Sequence, residues 1–106
     1  MIECRVREGV AGDLAGVLRL ERETVGAPHW AEAEYGAIVE AREFADVGVR
    51  RRLFVADGKS GLLGFAVGKV LASEAVSLGE LESVAVGGST RRSGVGRMLC
   101  EAVIRW

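Results

Sequence analysis

The stretch "ELESVAVGGSTRRSGVGRMLCEAV", residues 80–103, decides the fold, because it passes from a strand pattern through a glycine-bearing loop into a helix pattern. Residues up to position 86 follow a period of two, which predicts a strand with one side formed by Glu80, Glu82, Val84 and Val86. After the loop, apolar residues recur at helical spacing at Val95, Met98, Leu99, Ala102 and Trp106. A strand, a short loop and a helix are therefore predicted in that order.

The loop is predicted to bind an anion, because the start of a helix presents unpaired backbone N–H groups and the positive end of the helix dipole. Gly94 and Gly96 have no Cβ, so a phosphate can approach the backbone closely. Positive charge comes from Arg91, Arg92 and Arg97. The alternative is that the glycines only serve a tight turn and that the arginines are solvated surface.

Two other phosphate motifs fail when their glycines are checked. A dinucleotide-binding fingerprint needs a third glycine where Leu99 stands, and the "DGKSG" segment has Leu53 where a P-loop needs its first glycine. The glycine loop therefore requires a different explanation.

The rest of the chain extends this unit into one α/β domain over residues 1–106. "IECRVR" alternates like a half-solvated strand, and amphipathic helices are predicted over residues 11–23 and 30–44. "RRLFVAD" and "GLLGFAVGKVLA" read as two strands of an antiparallel hairpin. The predicted order is β-α-α-β-β-β-α, a sandwich in which helices cover a sheet.

Composition narrows the function classes. Lys plus Arg number 14 against 15 for Asp plus Glu, so no basic field favours nucleic acid, and the Arg50–Arg52 run is interpreted as a solvated strand edge. Cys4 and Cys100 form no metal-binding or redox motif, and we expect both to be structural. The charged start of the chain does not resemble a signal peptide, and no apolar run is long enough to span a bilayer. A cytoplasmic domain without a metal is predicted.

The glycine loop resembles the acetyl-CoA loop of the GNAT superfamily of N-acetyltransferases, written (Arg or Gln)-x-x-Gly-x-(Gly or Ala), which Arg91, Gly94 and Gly96 fill in order. "APHWAEAEY" is similar to the same region of RimI-like enzymes, which acetylate protein N-termini. The resemblance implies a GNAT-like sandwich with a mixed, mainly antiparallel sheet, and acetyl-CoA as co-substrate. It also implies pantetheine contacts at Val84, Ala85 and Val86, and pyrophosphate contacts at Arg91, Arg92, Ser93, Gly94, Val95, Gly96 and Arg97.

Glu82 and Glu80 are the candidates for the catalytic base, since either could take a proton from the acceptor amine if burial and the neighbouring carboxylate made it basic enough. Glu82 is preferred because RimI-like sequences resemble "ELExxAV", and plain surface charge is the alternative. Backbone N–H groups near Val84–Val86 are the expected oxyanion donors. The resemblance also implies that His29 and Trp30 shape the acceptor site. Their alternative is a solvated histidine beside a core tryptophan.

The family pattern continues beyond the last predicted helix with further strands and a helix that carries the general acid. We therefore expect this chain to correspond to the incomplete N-terminal portion of such a domain, with its C-terminal strands and the general acid lying beyond Trp106. Tyr35 cannot take that role. An unpaired strand edge would favour a homodimer. The favoured acceptor is a protein N-terminus, and the alternatives are a small-amine acetyltransferase and a non-catalytic fragment that binds CoA or self-associates.

Overall fold

The computed structural model describes residues 4–24, 32–40, 48–59, 61–72, 77–88 and 94–106. The elements follow the predicted order. Strand β1 (Cys4–Glu8) leads through a short 3-10 turn (Ala11–Asp13) into helices α1 (Leu14–Glu23) and α2 (Glu32–Glu40), and then come strands β2 (Gly48–Gly58), β3 (Gly61–Ala72) and β4 (Ser77–Val86) and helix α3 (Val95–Arg105). The α/β fold class is confirmed.

The four strands form one sheet in the order β1-β2-β3-β4, and each neighbouring pair is antiparallel. The predicted β2–β3 hairpin is confirmed, because Gly58 pairs with Gly61 across its turn. Gly61 has a φ of +124°, a backbone conformation that favours glycine. Strand β4 thus lies at one edge of the described sheet.

Strand β4 contains a bulge at Glu82. Val67 of β3 pairs with Ser83, whereas the next residue, Gly68, pairs with Leu81, so Glu82 has no cross-strand partner. One extra residue reverses the alternation of side chains along the strand. The prediction that Glu82 and Val84 share a face is therefore wrong, since Val84 pairs with Ala66 on the opposite face from Ser83 and Ala85.

Each face of the sheet carries its own core. Helices α1 and α2 cover the face with the larger side chains, and the buried residues there are Val17, Leu20, Tyr35, Ile38, Leu53, Val55, Phe65, Val67 and Ala85. Helix α3 packs on the other face through Val95 and Leu99, against Ala56 and Ala66. The strand alternation explains this division, because successive residues such as Phe65 and Ala66 point to opposite faces.

Strand alternation also divides the Arg50–Arg52 run, which is not the solvated edge expected from the sequence. The guanidinium carbons of Arg50 and Arg52 lie 5.7 and 5.1 Å from the ring centroid of Trp106, at the end of α3. Arg51 points to the other face and hydrogen-bonds Glu82. Cation–π contacts with Trp106 therefore anchor the end of α3 on β2.

A charged cluster fixes the start of the first helix. Arg7 of β1 bonds Asp13 at 2.8 Å and Asp57 of β2 at 3.2 Å, and Asp13 also accepts the Val10 N–H. The Arg7 guanidinium, helped by that backbone bond, lowers the pKa of Asp13 despite its burial. The cluster ties β1, β2 and α1 together.

Candidate active site

Helix α3 begins with uncapped backbone groups close to the end of β4. Gly94 has φ +94° and ψ −3°, and no side-chain hydrogen bond caps the helix there. The Met98 N–H bonds the Gly94 carbonyl at 3.0 Å, so the helix's own ladder starts at that residue. The earlier N–H groups, on Val95, Gly96 and Arg97, have no partner within the helix. These are the N–H groups that the sequence predicted to bind an anion.

The two loop glycines differ in what they allow. A Cβ at Gly94 would meet no atom within 4 Å, but the left-handed backbone strains any other residue there. A Cβ at Gly96 would lie 3.5 Å from Val86 Cγ2, which is an ordinary van der Waals distance. The space at residue 96 thus fits a motif that accepts Gly or Ala.

Of the three arginines predicted to act in the loop, Arg97 lies among the described residues. Arg97 is 84% exposed and bonds Glu101 at 3.1 Å, one helical turn later. Its charge is therefore shared with a neighbour on the helix surface. Arg91, Arg92 and Ser93 lie outside the described residues, as do His29 and Trp30.

The end of β4 offers backbone groups to a ligand. Residues Val84–Val86 pair with β3 on one side, and no described strand lies on the other. Ala85 is buried under α1 and α2, and Val84 is exposed. An extended chain containing amides could pair with this open side as an added strand would.

Both candidate acids have a basic partner. Glu82 accepts hydrogen bonds from Arg51 Nε at 2.7 Å and Arg51 Nη2 at 3.2 Å, and its side chain is 17% exposed. Glu80 is more exposed and lies 4.0 Å from Lys69 Nζ. The hydrogen bond to Glu82 raises the pKa of Arg51. The sequence predicted two neighbouring carboxylates that act on each other. In the structure each of them instead pairs with a basic side chain.

Three buried polar side chains were missed by the sequence analysis. The Tyr35 hydroxyl donates to Glu21 inside the core of α1 and α2, and the Tyr35 ring meets Phe65 edge-on at 5.7 Å. Burial, followed by the bond to Glu21, raises the pKa of Tyr35. Ser83 is 5% exposed, and in the described part of the chain its hydroxyl has no hydrogen-bond partner. One signal was available for Glu21, which is an acid in line with Val17 and Leu20.

In the part of the chain that the structure describes, the cysteines and the possible metal ligands form no further centre. Cys4 Sγ lies 3.9 Å from Met98 Sδ, and Cys100 lines a cleft of about 420 Å³ beside Trp106. Both thiols are free. Among the described residues, no three His, Cys, Asp or Glu side chains are grouped to hold a metal. None of the described helices is long and apolar enough to cross a membrane.

Solved structures with similar folds include several acetyltransferases. A Trypanosoma brucei acetyltransferase has a TM-score of 0.72 at 22% identity, covering 97% of this chain and 73% of that one. A ribosomal-protein-alanine N-acetyltransferase from Brucella melitensis biovar Abortus 2308 has a TM-score of 0.70 at 14% identity, covering 97% and 70%. An aminoglycoside acetyltransferase from an uncultured soil metagenomic sample, in complex with sisomicin, has a TM-score of 0.66 at 16% identity, covering 96% and 68%. At these identities the likeness shows a shared fold.

The family comparison reaches further than the fold. No curated protein matches the chain. The family model described as acetyltransferase (GNAT) family matches residues 14–106, from the start of α1 to the last residue of the sequence. Members of this family use acetyl-CoA as co-substrate and acetylate an amine. The chain therefore belongs to the GNAT family of acetyltransferases.

Proposed function

We propose that this chain transfers the acetyl group of acetyl-CoA to the α-amino group of a protein N-terminus. The observation that carries the proposal is the sequence of features along β4. A bulge with a half-buried carboxylate at Glu82 is followed by an open strand side at Val84–Val86 and then by the uncapped end of α3 at Gly94. Proton acceptor, amide-binding strand and anion site follow one another on one segment.

The described residues fit acetyl-CoA at both points where they are expected to hold it. The open side of Val84–Val86 would hydrogen-bond the pantetheine amides. The N–H groups at the start of α3, with the helix dipole, would hold the pyrophosphate, and the free space around Gly94 would admit it. Arg91, Arg92 and Ser93 keep their predicted role in this loop. When bound, acetyl-CoA supplies an activated thioester.

Glu82 is the proposed base, and Glu80 is the second candidate. Attack on the thioester requires a neutral amine, so the ammonium must first lose a proton, to Glu82 directly or through water. Backbone N–H groups near Val84–Val86 are proposed to stabilise the oxyanion. In this proposal the chain binds acetyl-CoA, orients the amine and accepts its proton.

A protein N-terminus is the favoured acceptor, and two likenesses support it. "APHWAEAEY" resembles RimI-like enzymes, and one of the structural neighbours is a ribosomal-protein-alanine acetyltransferase. The predicted acceptor contacts are His29 and Trp30. A small amine is the second candidate, because a neighbour of similar fold is an aminoglycoside acetyltransferase.

The chain is also proposed to form a homodimer through β4. No described strand covers this edge, and before the segment proposed to bind pantetheine large apolar side chains are exposed along it at Leu78 and Leu81. Sedimentation over a range of concentrations should show a dimer, and a monomer throughout would contradict the proposal. A cytoplasmic location stays a prediction from the sequence.

Calorimetric titration of acetyl-CoA followed by an acceptor screen tests the function. We expect saturable binding and turnover with a peptide that begins with a free alanine. The same peptide with a blocked N-terminus and one lysine is the matched control. Turnover only with free amines would move the acceptor to the small-amine class. Binding without any turnover would favour a non-catalytic CoA-binding fragment, and the absence of binding would refute the cofactor site.

A further inference from the structure

Arg51 connects two strands that are not neighbours. It extends from β2 across β3 and donates Nε to Glu82 Oε2 at 2.7 Å and Nη2 to Glu82 Oε1 at 3.2 Å. The two side chains are 38% and 17% exposed, so the pair is partly shielded from water. A guanidinium that contacts both carboxylate oxygens fixes the orientation of the carboxylate as well as its position.

The bulge makes this contact important for the direction of the Glu82 side chain. A residue in a regular ladder has a cross-strand neighbour that limits where its side chain can go. Glu82 lacks one, since its flanking residues Leu81 and Ser83 pair with the consecutive residues Gly68 and Val67. Arg51 therefore supplies the constraint that the ladder does not.

Few other charged groups face this carboxylate. On β3 the nearest cation is Lys69, which lies 4.0 Å from Glu80 of β4. On the helices that cover this face, the buried titratable groups are Glu21 and Tyr35, and they bond each other. Among the described residues, Arg51 is the one cation that hydrogen-bonds Glu82.

We infer that Arg51 is a positioning residue that holds the Glu82 carboxylate oriented toward the acceptor ammonium. The inference rests on the proposed role of Glu82 as the base. A carboxylate has about four lone-pair sites, and Arg51 uses two of them, so the ammonium can still be accepted. The N–H bond breaks with its electron pair left on nitrogen, and the proton joins a Glu82 oxygen. The proton then passes from Glu82 to water, and the carboxylate again accepts both hydrogen bonds from Arg51.

The split between kcat and KM tests this inference on the whole chain. Arg51→Met should lower kcat about tenfold and leave the KM for acetyl-CoA within about twofold, because a carboxylate without its two-pronged contact spends less time facing the ammonium. Arg51→Lys keeps the charge without that contact, so it should restore only part of kcat. Arg50→Met is the matched control, because Arg50 lies over Trp106 on the other face, and it should leave kcat unchanged.

A second measurement needs no turnover. In protein labelled with ¹³C at the glutamate carboxyls, the Glu82 resonance is assigned by its loss in Glu82→Gln. Its chemical shift should change in Arg51→Met and stay unchanged in Arg50→Met, because only the first variant removes the guanidinium that contacts both carboxylate oxygens. Arg51→Lys serves in the same way if Arg51→Met does not fold, since it also removes the two-pronged contact.

The outcomes separate the two proposals. If Glu82→Gln abolishes turnover with acetyl-CoA binding retained, and Arg51→Met leaves kcat unchanged, the role of Arg51 is overturned and the base assignment stands. If Glu82→Gln leaves kcat unchanged, the base assignment itself fails. A shifted Glu82 resonance in Arg51→Met with an unchanged kcat would show the contact without the catalytic role and would equally overturn the inference.

Discussion

Replacing Gly94 by alanine should separate the loop's role in folding from its role in binding acetyl-CoA. Gly94 has φ +94°, and among the described residues no atom lies within 4 Å of where its Cβ would be, so the cost expected in the free protein is backbone strain. Placing an L residue in a left-handed conformation costs roughly 1 to 2 kcal/mol. A lower entropy of the unfolded chain offsets a few tenths of this. Gly94→Ala should therefore lower the free energy of unfolding by about 1 kcal/mol.

Gly61 offers a matched control for that strain. It has φ +124°, also with nothing within 4 Å of a built Cβ, and it lies in the β2–β3 turn instead of the loop. Gly61→Ala should destabilise the protein by a similar amount, measured by chemical denaturation of both variants. Only Gly94→Ala adds a methyl group where the pyrophosphate would approach the helix.

The two variants should therefore differ in binding. We expect the Kd for acetyl-CoA, measured by calorimetry, to rise at least about tenfold in Gly94→Ala, which corresponds to about 1.4 kcal/mol. In Gly61→Ala the Kd should stay within about twofold of the wild-type value, because Gly61 lies in the β2–β3 turn and not in the predicted pyrophosphate loop. A twofold change in Kd corresponds to less than ~0.5 kcal/mol. Equal Kd values in the two variants would refute the reasoning that α3 begins at the pyrophosphate site.

Three further predictions concern stability. Tyr35→Phe should lower the free energy of unfolding by about 1.5 to 3 kcal/mol, because a buried bond to Glu21 is lost. Since the pKa of Tyr35 is raised, the stability that Tyr35 contributes should be present below pH 10.0 and lost as the pH rises through the higher pKa of the folded protein. The free energy of unfolding of Tyr35→Phe should therefore depend less on pH in strong alkali. The pKa of Asp13 is lowered, so its contribution should be present above its ordinary value of 3.8 and lost as the pH falls further, and Asp13→Asn should remove that acid-sensitive part of an unfolding titration. Gly68→Ala should lower the free energy of unfolding by about 1 to 3 kcal/mol and change the fluorescence of Trp106, because its Cβ would lie 2.8 Å from Val103 Cγ1. Gly79→Ala is the control, since among the described residues no atom lies within 4 Å of its Cβ, and it should lower that free energy far less.

The sequence predicted the order of elements because each has a distinct period. Helix α3 shows its stripe in Val95 and Leu99, which are buried as expected, whereas Met98 of the same predicted stripe is exposed. The second helix was harder to interpret. Its described part buries Tyr35 and Ile38, whereas the apolar Ala37 beside Ile38 is exposed. Small residues such as alanine carry little information about which face is buried.

The candidate site was predictable where it is local and unpredictable where it depends on pairing. The anion loop lies on consecutive residues, so its glycines could be read directly. The partners of the two acids could not, because Arg51 is 31 positions away from Glu82 and meets it only through the register of three strands. Glu21 and Tyr35 likewise meet through the packing of two helices. Long-range contacts of this kind are set by tertiary structure.

The bulge at Glu82 left a trace in the sequence that periodicity alone misread. Under strict alternation, one face of β4 would take Glu80, Glu82, Val84 and Val86, two acids followed by two apolar residues, which suits neither water nor a core. With one extra residue at Glu82, Val84 shares the face of α3 with Leu81, and Glu82 lies with Glu80 toward Arg51 and Lys69. Alternate positions of β4 therefore change from acidic to apolar at the bulge, which is where the side chains change faces. In the proposed mechanism, this change is what separates the base from the face on which α3 receives the cofactor.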